Sequence, residues 1–330
     1  MEEYEKILTE IKEQEKLLQF TEFTKIRGFY MYKLLAIDMD GTLLNDNKKI
    51  SKENILAIKK ATQLGIKIVI ASGRTIQGIE KYLKELDLVN DDEYCVVCSG
   101  ALVMNNTNEK VIQSNPLSYD EFKYVFNLVK KLHITLNMYS DERILINSSS
   151  YYSKFDAIAN NIPLEIRDFN YLDKDTLITK IMLINEDLSI VEEMQSLFPS
   201  IIVDENKLEA KEGFNRELFK DMSKLPKEFL ENFTVSKVTP FNVEVMKKNI
   251  SKRTGLEKIA RELKIKPHEI ICIGDSGNDK EMIQYAGLGV AMGNAFPEIK
   301  EIADYITCSN EDNGVAHVIE KFILNQKEAI

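Results

Sequence analysis

Two acidic clusters stand out in this 330-residue chain because each directly follows a short apolar run. The first spans Asp38–Thr42 (DMDGT) and the second spans Gly274–Asp279 (GDSGND). In extended backbone, residues two apart point to the same side, so Asp38 and Asp40 can converge on one point. Carboxylates held together repel one another, and a hard cation such as Mg²⁺ neutralises them with oxygen ligands. Together the clusters indicate an anionic pocket that holds Mg²⁺.

Two further motifs suit the binding of an anion. Ser72–Arg74 (SGR) follows a β-branched run and leads into a predicted helix, and a hydroxyl with free amides at a helix N-terminus binds phosphate. Lys252 lies just before a helix predicted from Thr254, where a lysine alone is usually solvated surface. The four motifs together describe phosphoryl transfer through an aspartyl phosphate, in which one carboxylate attacks phosphorus and another handles protons.

The elements that must position these motifs alternate between strand and helix, and this pattern predicts an α/β fold with a doubly wound parallel sheet. Ligands in such sheets lie outside the carboxyl ends of the strands, which is where the acidic clusters fall. The predicted strands are Tyr32–Ile37, Ile66–Ala71, Tyr94–Cys98, Ile270–Ile273, Leu288–Met292 and Tyr305–Thr307. The predicted helices are Ser51–Leu64, Thr75–Leu86, Thr254–Leu263, Asp279–Ala286 and a last helix near the C-terminus.

The middle of the chain, about Ser114 to Lys248, has a different pattern that predicts an inserted α+β domain. Helices are predicted near Tyr119–Leu132 and Leu188–Leu197, and strands near Ile134–Met138, Arg143–Ile146, Thr179–Ile184 and Ile201–Val203. Two closely spaced runs, Phe233–Val238 and Phe241–Met246, are separated by Thr239-Pro240 and indicate a hairpin. Lys180 lies within one predicted strand, and a solvent-facing side chain is the favoured interpretation over one that reaches a substrate anion.

In order along the chain, these motifs resemble the four motifs of the haloacid dehalogenase-like hydrolases, and the resemblance covers about Tyr32 to Phe322. The matching residues are Asp38-x-Asp40-Gly41-Thr42, Ser72-Gly73-Arg74, Lys252 and Gly274-Asp275-x-x-Asn278-Asp279. The inserted domain resembles the type IIB caps of the Cof-like branch. Two departures are Ser99, where the branch commonly has Asn, and Arg253, where it commonly has Gly after the lysine. Arg253 is expected to alter the charge near the pocket mouth.

The resemblance implies a role for each matching residue. Asp38 would be the nucleophile and a Mg²⁺ ligand, and Asp40 would protonate the leaving oxygen, later activate water, and reach the metal through its main-chain carbonyl. The remaining metal contacts would be Asp275 directly and Asp279 through metal-bound water or through Lys252. The phosphate would be held by Met39, Ser72, Gly73, Lys252 and Asn278.

The resemblance also implies a division of the chain into three parts. Residues 31–113 and 249–330 would form the catalytic core, and residues 114–248 would form the cap that sets substrate specificity. Residues 1–30 show an amphipathic helical pattern with no candidate ligand. This N-terminal extension is expected to be dispensable for chemistry and suited to docking on the core or to self-association.

The amino-acid composition indicates which binding partners and which cellular location to expect. The chain has 43 basic and 53 acidic residues, and the net charge of −10 disfavours nucleic acid or an anionic membrane as the main partner. Four cysteines do not make a disulfide framework, and the acidic start of the chain lacks the apolar segment of a secretory signal, so a cytoplasmic location is expected.

Three functions are considered for a chain with these motifs. The first is a Mg²⁺-dependent phosphatase for small phosphorylated metabolites, with sugar phosphates as the leading substrates and flavin mononucleotide or pyridoxal phosphate next. The second is a phosphotransferase resembling the phosphomannomutases, which share this cap type. The third is a binding or regulatory relative without turnover, which the intact set of Asp38, Asp40, Lys252 and Asp275 disfavours.

Overall fold

The computed structural model describes residues 32–107, 110–140, 142–148, 150–186, 216–239 and 242–325. The N-terminal helix expected within residues 1–30, the helix expected at Leu188–Leu197 and the strand expected at Ile201–Val203 lie outside these residues. Pro240, expected in the hairpin turn, also lies outside them.

The described residues contain fourteen strands, numbered in chain order. They are β1 Leu34–Ile37, β2 Lys67–Ala71, β3 Tyr94–Val97, β4 Leu102–Asn105, β5 Val111–Ser114, β6 Thr135–Tyr139, β7 Ile144–Ile146, β8 Leu164–Ile166, β9 Lys180–Ile184, β10 Phe233–Thr239, β11 Asn242–Lys247, β12 Ile270–Gly274, β13 Leu288–Ala291 and β14 Tyr305–Ile306.

The α-helices of the same residues are α1 Lys52–Gln63, α2 Ile76–Glu85, α3 Tyr119–Lys131, α4 Tyr151–Asn160, α5 Arg216–Lys220, α6 Lys227–Asn232, α7 Lys252–Glu262, α8 Lys280–Tyr285, α9 Pro297–Ile302 and α10 Gly314–Ile319. Short 3₁₀ turns lie at Cys98–Gly100, Phe169–Tyr171, Met222–Lys224, Pro267–Glu269 and Gly277–Asp279, and a π-helical turn lies at Glu320–Leu324. No helix in the described ranges is both long and apolar enough to cross a membrane.

The larger sheet has eight strands in the order β14-β13-β12-β1-β2-β3-β4-β5. The six strands from β14 to β3 are parallel, as predicted, and β12 and β2 both lie next to β1. The last two strands, β4 and β5, are antiparallel and were not predicted. The links before β4 and β5 are too short for a crossover helix, and short links suffice only between antiparallel neighbours.

Helices cover both faces of this sheet because its parallel strands are apolar on both sides. Leu35 and Ile37 of β1 face a cluster that also contains residues of α1, α2 and α10. Leu34 and Ala36, one position out of phase, face a second cluster with residues of α7 and α8. This alternation confirms the doubly wound arrangement.

The smaller sheet has six strands in the order β10-β11-β9-β6-β7-β8, and β10 and β11 form the predicted antiparallel hairpin. One face is apolar and packs against the phenylalanine-rich helices α3 and α6. The other face is mixed. Asn137, Lys180 and Glu244 are polar and buried there, while Ile144, Ile146, Met182 and Ile184 form an apolar cluster with residues of α4. Helix α4 and strand β8, which were not predicted, extend this part of the chain.

The positions of the strands in the two sheets can be compared with the predicted boundaries of the insertion. Ser114, the first residue assigned to the insertion, pairs with Leu102 in the larger sheet. The six strands of the smaller sheet all lie between Thr135 and Lys247. The boundaries at residues 113/114 and 248/249 stay a prediction.

Candidate active site

Asp38 and Asp40 lie at the carboxyl end of β1, at the centre of the larger sheet. The Asp38 amide donates to the Ile273 carbonyl of β12 at 3.0 Å, so the two acidic clusters are tied together by main chain. Gly41 follows with φ of +80°, and a Cβ at this position would lie 2.5 Å from Asp275 Oδ2. Only glycine therefore lets the first cluster turn so close to the second.

Lys252 contacts both clusters. Its ammonium donates to Asp38 Oδ1 and, at 2.7 Å, to Asp279 Oδ1, and its side chain is 1% exposed. Burial lowers the pKa of Lys252, but Asp279 and Asp38 outweigh this effect and hold the pKa above its usual range. The prediction that Lys252 precedes the helix was wrong, because α7 begins at Lys252 itself, after Ser251 as N-cap.

Three carboxylates gather beside this lysine. Asp38, Asp275 and Asp279 each place an oxygen within 4.8 Å of the other two. Burial, reinforced by Asp279, raises the pKa of Asp38 to about 7. Burial and the charges of Asp38 and Asp279 raise the pKa of Asp275 well above its usual range. Three acids and one lysine leave an excess of negative charge, and the all-oxygen donor set fits a hard divalent cation.

The two oxygens of Asp279 are already engaged. Oδ1 accepts from Lys252, while Oδ2 accepts from the amides of Asp275 and Ser276, both at 3.1 Å. Asp275 Oδ1 accepts from the Thr42 hydroxyl at 2.8 Å. Asp279 thus holds the lysine and the loop, and its indirect role at a metal stays a prediction.

Asp40 has a different partner from Asp38. Arg74 donates to both of its oxygens, from Nε to Oδ2 and from Nη2 to Oδ1, each at 2.7 Å, and Lys48 donates to Oδ1 at 3.0 Å. Burial raises the pKa of Asp40, but Arg74 and Lys48 outweigh it and hold the pKa well below its usual range. The pKa values of these two neighbouring carboxyl groups are therefore shifted in opposite directions.

The residues expected to hold phosphate surround the same end of the sheet. Ser72, Gly73 and Asn278 line one pocket with Asp38 and Asp40. Asn278 Oδ1 accepts from the Ser276 hydroxyl at 2.9 Å, which leaves the Nδ2 group as the donor toward the pocket. The Met39 side chain is buried in the apolar core, so only its main chain is available to an anion.

The opposite wall of this pocket comes from the smaller sheet and from helix α4. It includes Tyr139, Asp156, Lys180, Met182, Val238, Thr239, Asn242 and Glu244. The pocket therefore lies between the carboxyl ends of the parallel strands of the larger sheet on one side and the smaller sheet with α4 on the other.

The interpretation of Lys180 as solvent-facing was wrong. The residue is 4% exposed, and its ammonium donates to Glu244 Oε1 and to the Gly73 carbonyl, both at 2.8 Å. Ser99, the departure noted above, donates its hydroxyl to the same Glu244 oxygen at 2.8 Å. Arg253 is exposed, lies over the Tyr285 ring and is not among the residues that line the pocket.

Several residues of the site were missed by reasoning from the sequence. Arg74 was noted only as part of a motif, and the contact of Lys48 with Asp40 was not foreseen. The pocket wall of the smaller sheet had a detectable signal, because Asn137-Met138-Tyr139 and Asn242-Val243-Glu244-Val245 alternate polar and apolar side chains. Such alternation indicates a strand with one face away from the apolar core.

Comparisons with known proteins identify the relatives of this chain. A family model described as haloacid dehalogenase-like hydrolase matches residues 35–225 and 208–319. The chain is 34% identical over 298 residues to YxeH of Bacillus subtilis, which covers 89% of this chain and 99% of that protein. It is 32% identical over 296 residues to 5-amino-6-(5-phospho-D-ribitylamino)uracil phosphatase YcsE of Bacillus subtilis, with 88% of this chain and 96% of that protein covered.

The fold has a match among solved structures. The structure of the HAD subclass IIB sugar phosphatase BT4131 aligns with a TM-score of 0.65 and 24% identity, over 88% of this chain and 98% of that chain. At this identity the likeness concerns the fold, including its inserted cap. By its ordered motifs, its fold and its relatives, the chain belongs to the haloacid dehalogenase-like hydrolases, in their Cof-like branch.

Proposed function

We propose that this protein is a phosphatase that hydrolyses small phosphate monoesters through an aspartyl phosphate on Asp38. The observation that carries the proposal is the position of Asp38, which is buried at a strand end against Lys252 and opens onto the pocket. Lys252 offsets negative charge next to the nucleophile, and the second carboxylate, Asp40, lies two residues away on the same strand end.

The reaction proceeds in two displacements at phosphorus. Asp38 attacks phosphorus, the bond from phosphorus to the ester oxygen breaks, and Asp40 gives its proton to that oxygen. Asp40 then takes a proton from a water molecule as the water attacks the phosphorus of the aspartyl phosphate. This second step releases inorganic phosphate and restores the carboxylate of Asp38.

Asp40 must carry a proton for the first displacement, although Arg74 and Lys48 favour its ionised form. The substrate brings negative charge to the pocket, and a neighbouring like charge raises the pKa of a carboxyl group. Arg74 meanwhile keeps the carboxylate oriented through two parallel hydrogen bonds. In this proposal Arg74 fixes the orientation of Asp40, and bound substrate favours the protonated form that the first displacement needs.

In this proposal, one set of residues around Asp38 binds the phosphate group and another set binds Mg²⁺. Met39 through its main chain, Ser72, Gly73, Asn278 and Lys252 hold the phosphate group. Mg²⁺ would be held by Asp38, Asp275 and the main-chain carbonyl of Asp40, with Asp279 acting through water. When bound, it would supply positive charge that offsets the crowded carboxylates and the phosphate.

Residues 114–248 form the cap that sets substrate specificity in this proposal, between core segments 31–113 and 249–330. Sugar phosphates are the leading substrates, and flavin mononucleotide and pyridoxal phosphate come next. The name of the relative YcsE describes a phosphorylated ribityl substrate, which also has a hydroxylated leaving group. We place the protein in the cytoplasm and assign residues 1–30 to docking or self-association.

The test is a screen of phosphate esters with Mg²⁺, in which release of inorganic phosphate is measured for the wild type and for Asp38→Asn. The wild type should hydrolyse a subset of the esters, and Asp38→Asn should fall to background. Isomerisation of a sugar phosphate without release of phosphate would instead favour a phosphomutase. Absence of turnover across the whole panel would favour a binding or regulatory protein.

A further inference from the structure

The end of the β10–β11 hairpin carries two buried side-chain oxygen atoms that have no hydrogen-bond partner within the described residues. Thr239 and Asn242 pair with each other across the hairpin, and both line the pocket opposite Asp38 and Asp40. Asn242 is 5% exposed. Within the described ranges, neither Asn242 Oδ1 nor the Thr239 hydroxyl has a hydrogen-bond partner.

The orientation of the Asn242 amide follows from its neighbour Asp156. This buried carboxylate accepts from the Tyr139 hydroxyl at 2.8 Å and from Asn137 Nδ2 at 2.7 Å, and Asn242 also hydrogen-bonds to it. A carboxylate only accepts, so it takes the Nδ2 group of Asn242. The Oδ1 atom is thereby turned away from Asp156 and is available as an acceptor.

The hydrogen-bond network that orients Asn242 extends from Asn137 to Ser153. Asn137 Oδ1 accepts from the Ser153 hydroxyl of α4 at 2.6 Å, so the Asn137 amide cannot flip without loss of a bond at each end. Asn137, Tyr139 and Asn242 lie on strands β6 and β11, and Asp156 lies on α4. Regular elements thus hold the acceptor in place before any ligand arrives.

A buried acceptor without a partner destabilises the protein, so a ligand that supplies a donor gains affinity there. With its phosphate at Asp38, an ester directs its leaving group toward this wall. We propose that Asn242 is a specificity-determining residue whose Oδ1 accepts a hydrogen bond from a hydroxyl group of the leaving group. The preferred substrates are then phosphate esters of polyhydroxylated alcohols; this inference rests on the proposed phosphatase function.

The other lining residues fit such a leaving group better than a flat aromatic ring. Asp156 and Glu244 add carboxylates to this wall, and Tyr139 is its one aromatic side chain within the described residues. The Lys180 ammonium lies 4.6 Å from the centroid of the Tyr139 ring and so occupies a face on which an aromatic ligand would stack.

The first test uses the wild type alone with pairs of esters of equal chain length, such as propyl phosphate against glycerol 1-phosphate and butyl phosphate against erythritol 4-phosphate. We expect kcat/KM to be at least about 10-fold higher for the hydroxylated member, because a site built to bind a hydroxyl rejects the analogue that lacks it. Equal values within each pair would overturn the inference.

The second test measures the ratio of kcat/KM for the hydroxylated ester to that for p-nitrophenyl phosphate, whose leaving group offers no donor. Asn242→Leu should lower this ratio about 10-fold, and Thr239→Val should lower it less. Thr234→Val is the matched control, because Thr234 lies on β10 like Thr239 but does not line the pocket. This variant should keep the wild-type ratio.

The outcomes separate this inference from the proposed function. If Asn242→Leu lowers both values equally, the residue is structural and the inference fails. Activity of the wild type on p-nitrophenyl phosphate without a preference for hydroxylated esters would overturn the inference alone. Inactivity on every ester would overturn both. If Asn242→Leu does not fold, the series of paired esters still decides.

Discussion

The ammonium of Lys180 donates a 2.8 Å hydrogen bond to the main-chain carbonyl of Gly73, and so joins the smaller sheet to the loop that follows β2 in the larger one. The same ammonium pairs with Glu244, and both side chains are almost completely buried. The residue thus couples the position of the smaller sheet to the loop that contains Ser72.

We expect Lys180→Met to lower the free energy of unfolding by about 3–5 kcal/mol, because Glu244 is left buried without its cation. The double variant Lys180→Met/Glu244→Gln should regain much of that stability, since it removes the uncompensated charge. Activity should stay low in both, because the bond to Gly73 is absent in both. Thermal unfolding and kcat/KM measured together check this, and recovery of full activity in the double variant would contradict it.

Asp38→Asn and Asp40→Asn should block different steps of the reaction. Asp38→Asn removes the nucleophile, so no covalent intermediate forms. Asp40→Asn removes proton transfer, worth about 10²–10⁴-fold, but leaves the nucleophile in place. With p-nitrophenyl phosphate, whose leaving group hardly needs a proton, a phosphate adduct on Asp38 should accumulate in Asp40→Asn. Mass spectrometry after rapid acid quench detects it, and an adduct on any other residue would refute the mechanism.

Arg74→Gln should impair acid–base chemistry more than nucleophilic attack. The variant loses both hydrogen bonds that orient the carboxylate of Asp40 toward the leaving group. We expect kcat for an alkyl phosphate to fall by at least about 10²-fold, with a smaller loss for p-nitrophenyl phosphate. Lys84→Gln, an exposed position on α2, is the control. Equal losses for the two leaving groups would argue against this role.

Binding of Mg²⁺ should strengthen as pH rises through neutrality. Burial and Asp279 raise the pKa of Asp38 to about 7 from 3.8, so without metal the unfolded chain releases this proton more readily than the folded one. Stability of the metal-free protein therefore falls as pH rises from about 4 to about 7. A metal ligand must be ionised, so apparent affinity rises over the upper part of this window.

The measurement is the increase in Tm on addition of Mg²⁺, compared at about pH 6 and about pH 8. The increase should be larger at the higher pH for the wild type. Asp38→Asn lacks the titrating group, so its response should depend less on pH. A wild-type increase that is the same at both pH values would contradict the prediction.

Gly41→Ala and Gly65→Ala separate backbone strain from a collision in the site. Both glycines have a φ near +80°, but a Cβ at Gly41 would lie 2.5 Å from Asp275 Oδ2, whereas Gly65 has nothing within 4 Å. Each substitution should cost about 1–2 kcal/mol of stability from the left-handed backbone. Only Gly41→Ala should also reduce kcat strongly. Normal turnover by Gly41→Ala would show that the two acidic clusters tolerate separation.

Features that depend on short stretches of chain could be predicted from the sequence. The apolar run before Asp38 and the β-branched run before Gly274 predicted two strands, and the rule that ligands lie at carboxyl ends of strands brought both acidic clusters together. Helix α1 lies within the predicted helix Ser51–Leu64, and its N-cap is Ser51. These outcomes follow from local backbone preferences and from hydrophobic periodicity, which neighbouring residues determine.

Contacts between distant parts of the chain were decided by the tertiary structure alone. Arg74 pairs with Asp40 across 34 positions, and Lys180 meets Gly73 across 107 positions, so no local pattern indicates either partner. A lysine within a strand is usually exposed, so the sequence around Lys180 indicated a surface residue. Nothing in that sequence shows that the larger sheet covers this face of β9. The pairing of a buried charge depends on which surfaces pack together, and packing is a property of the whole fold.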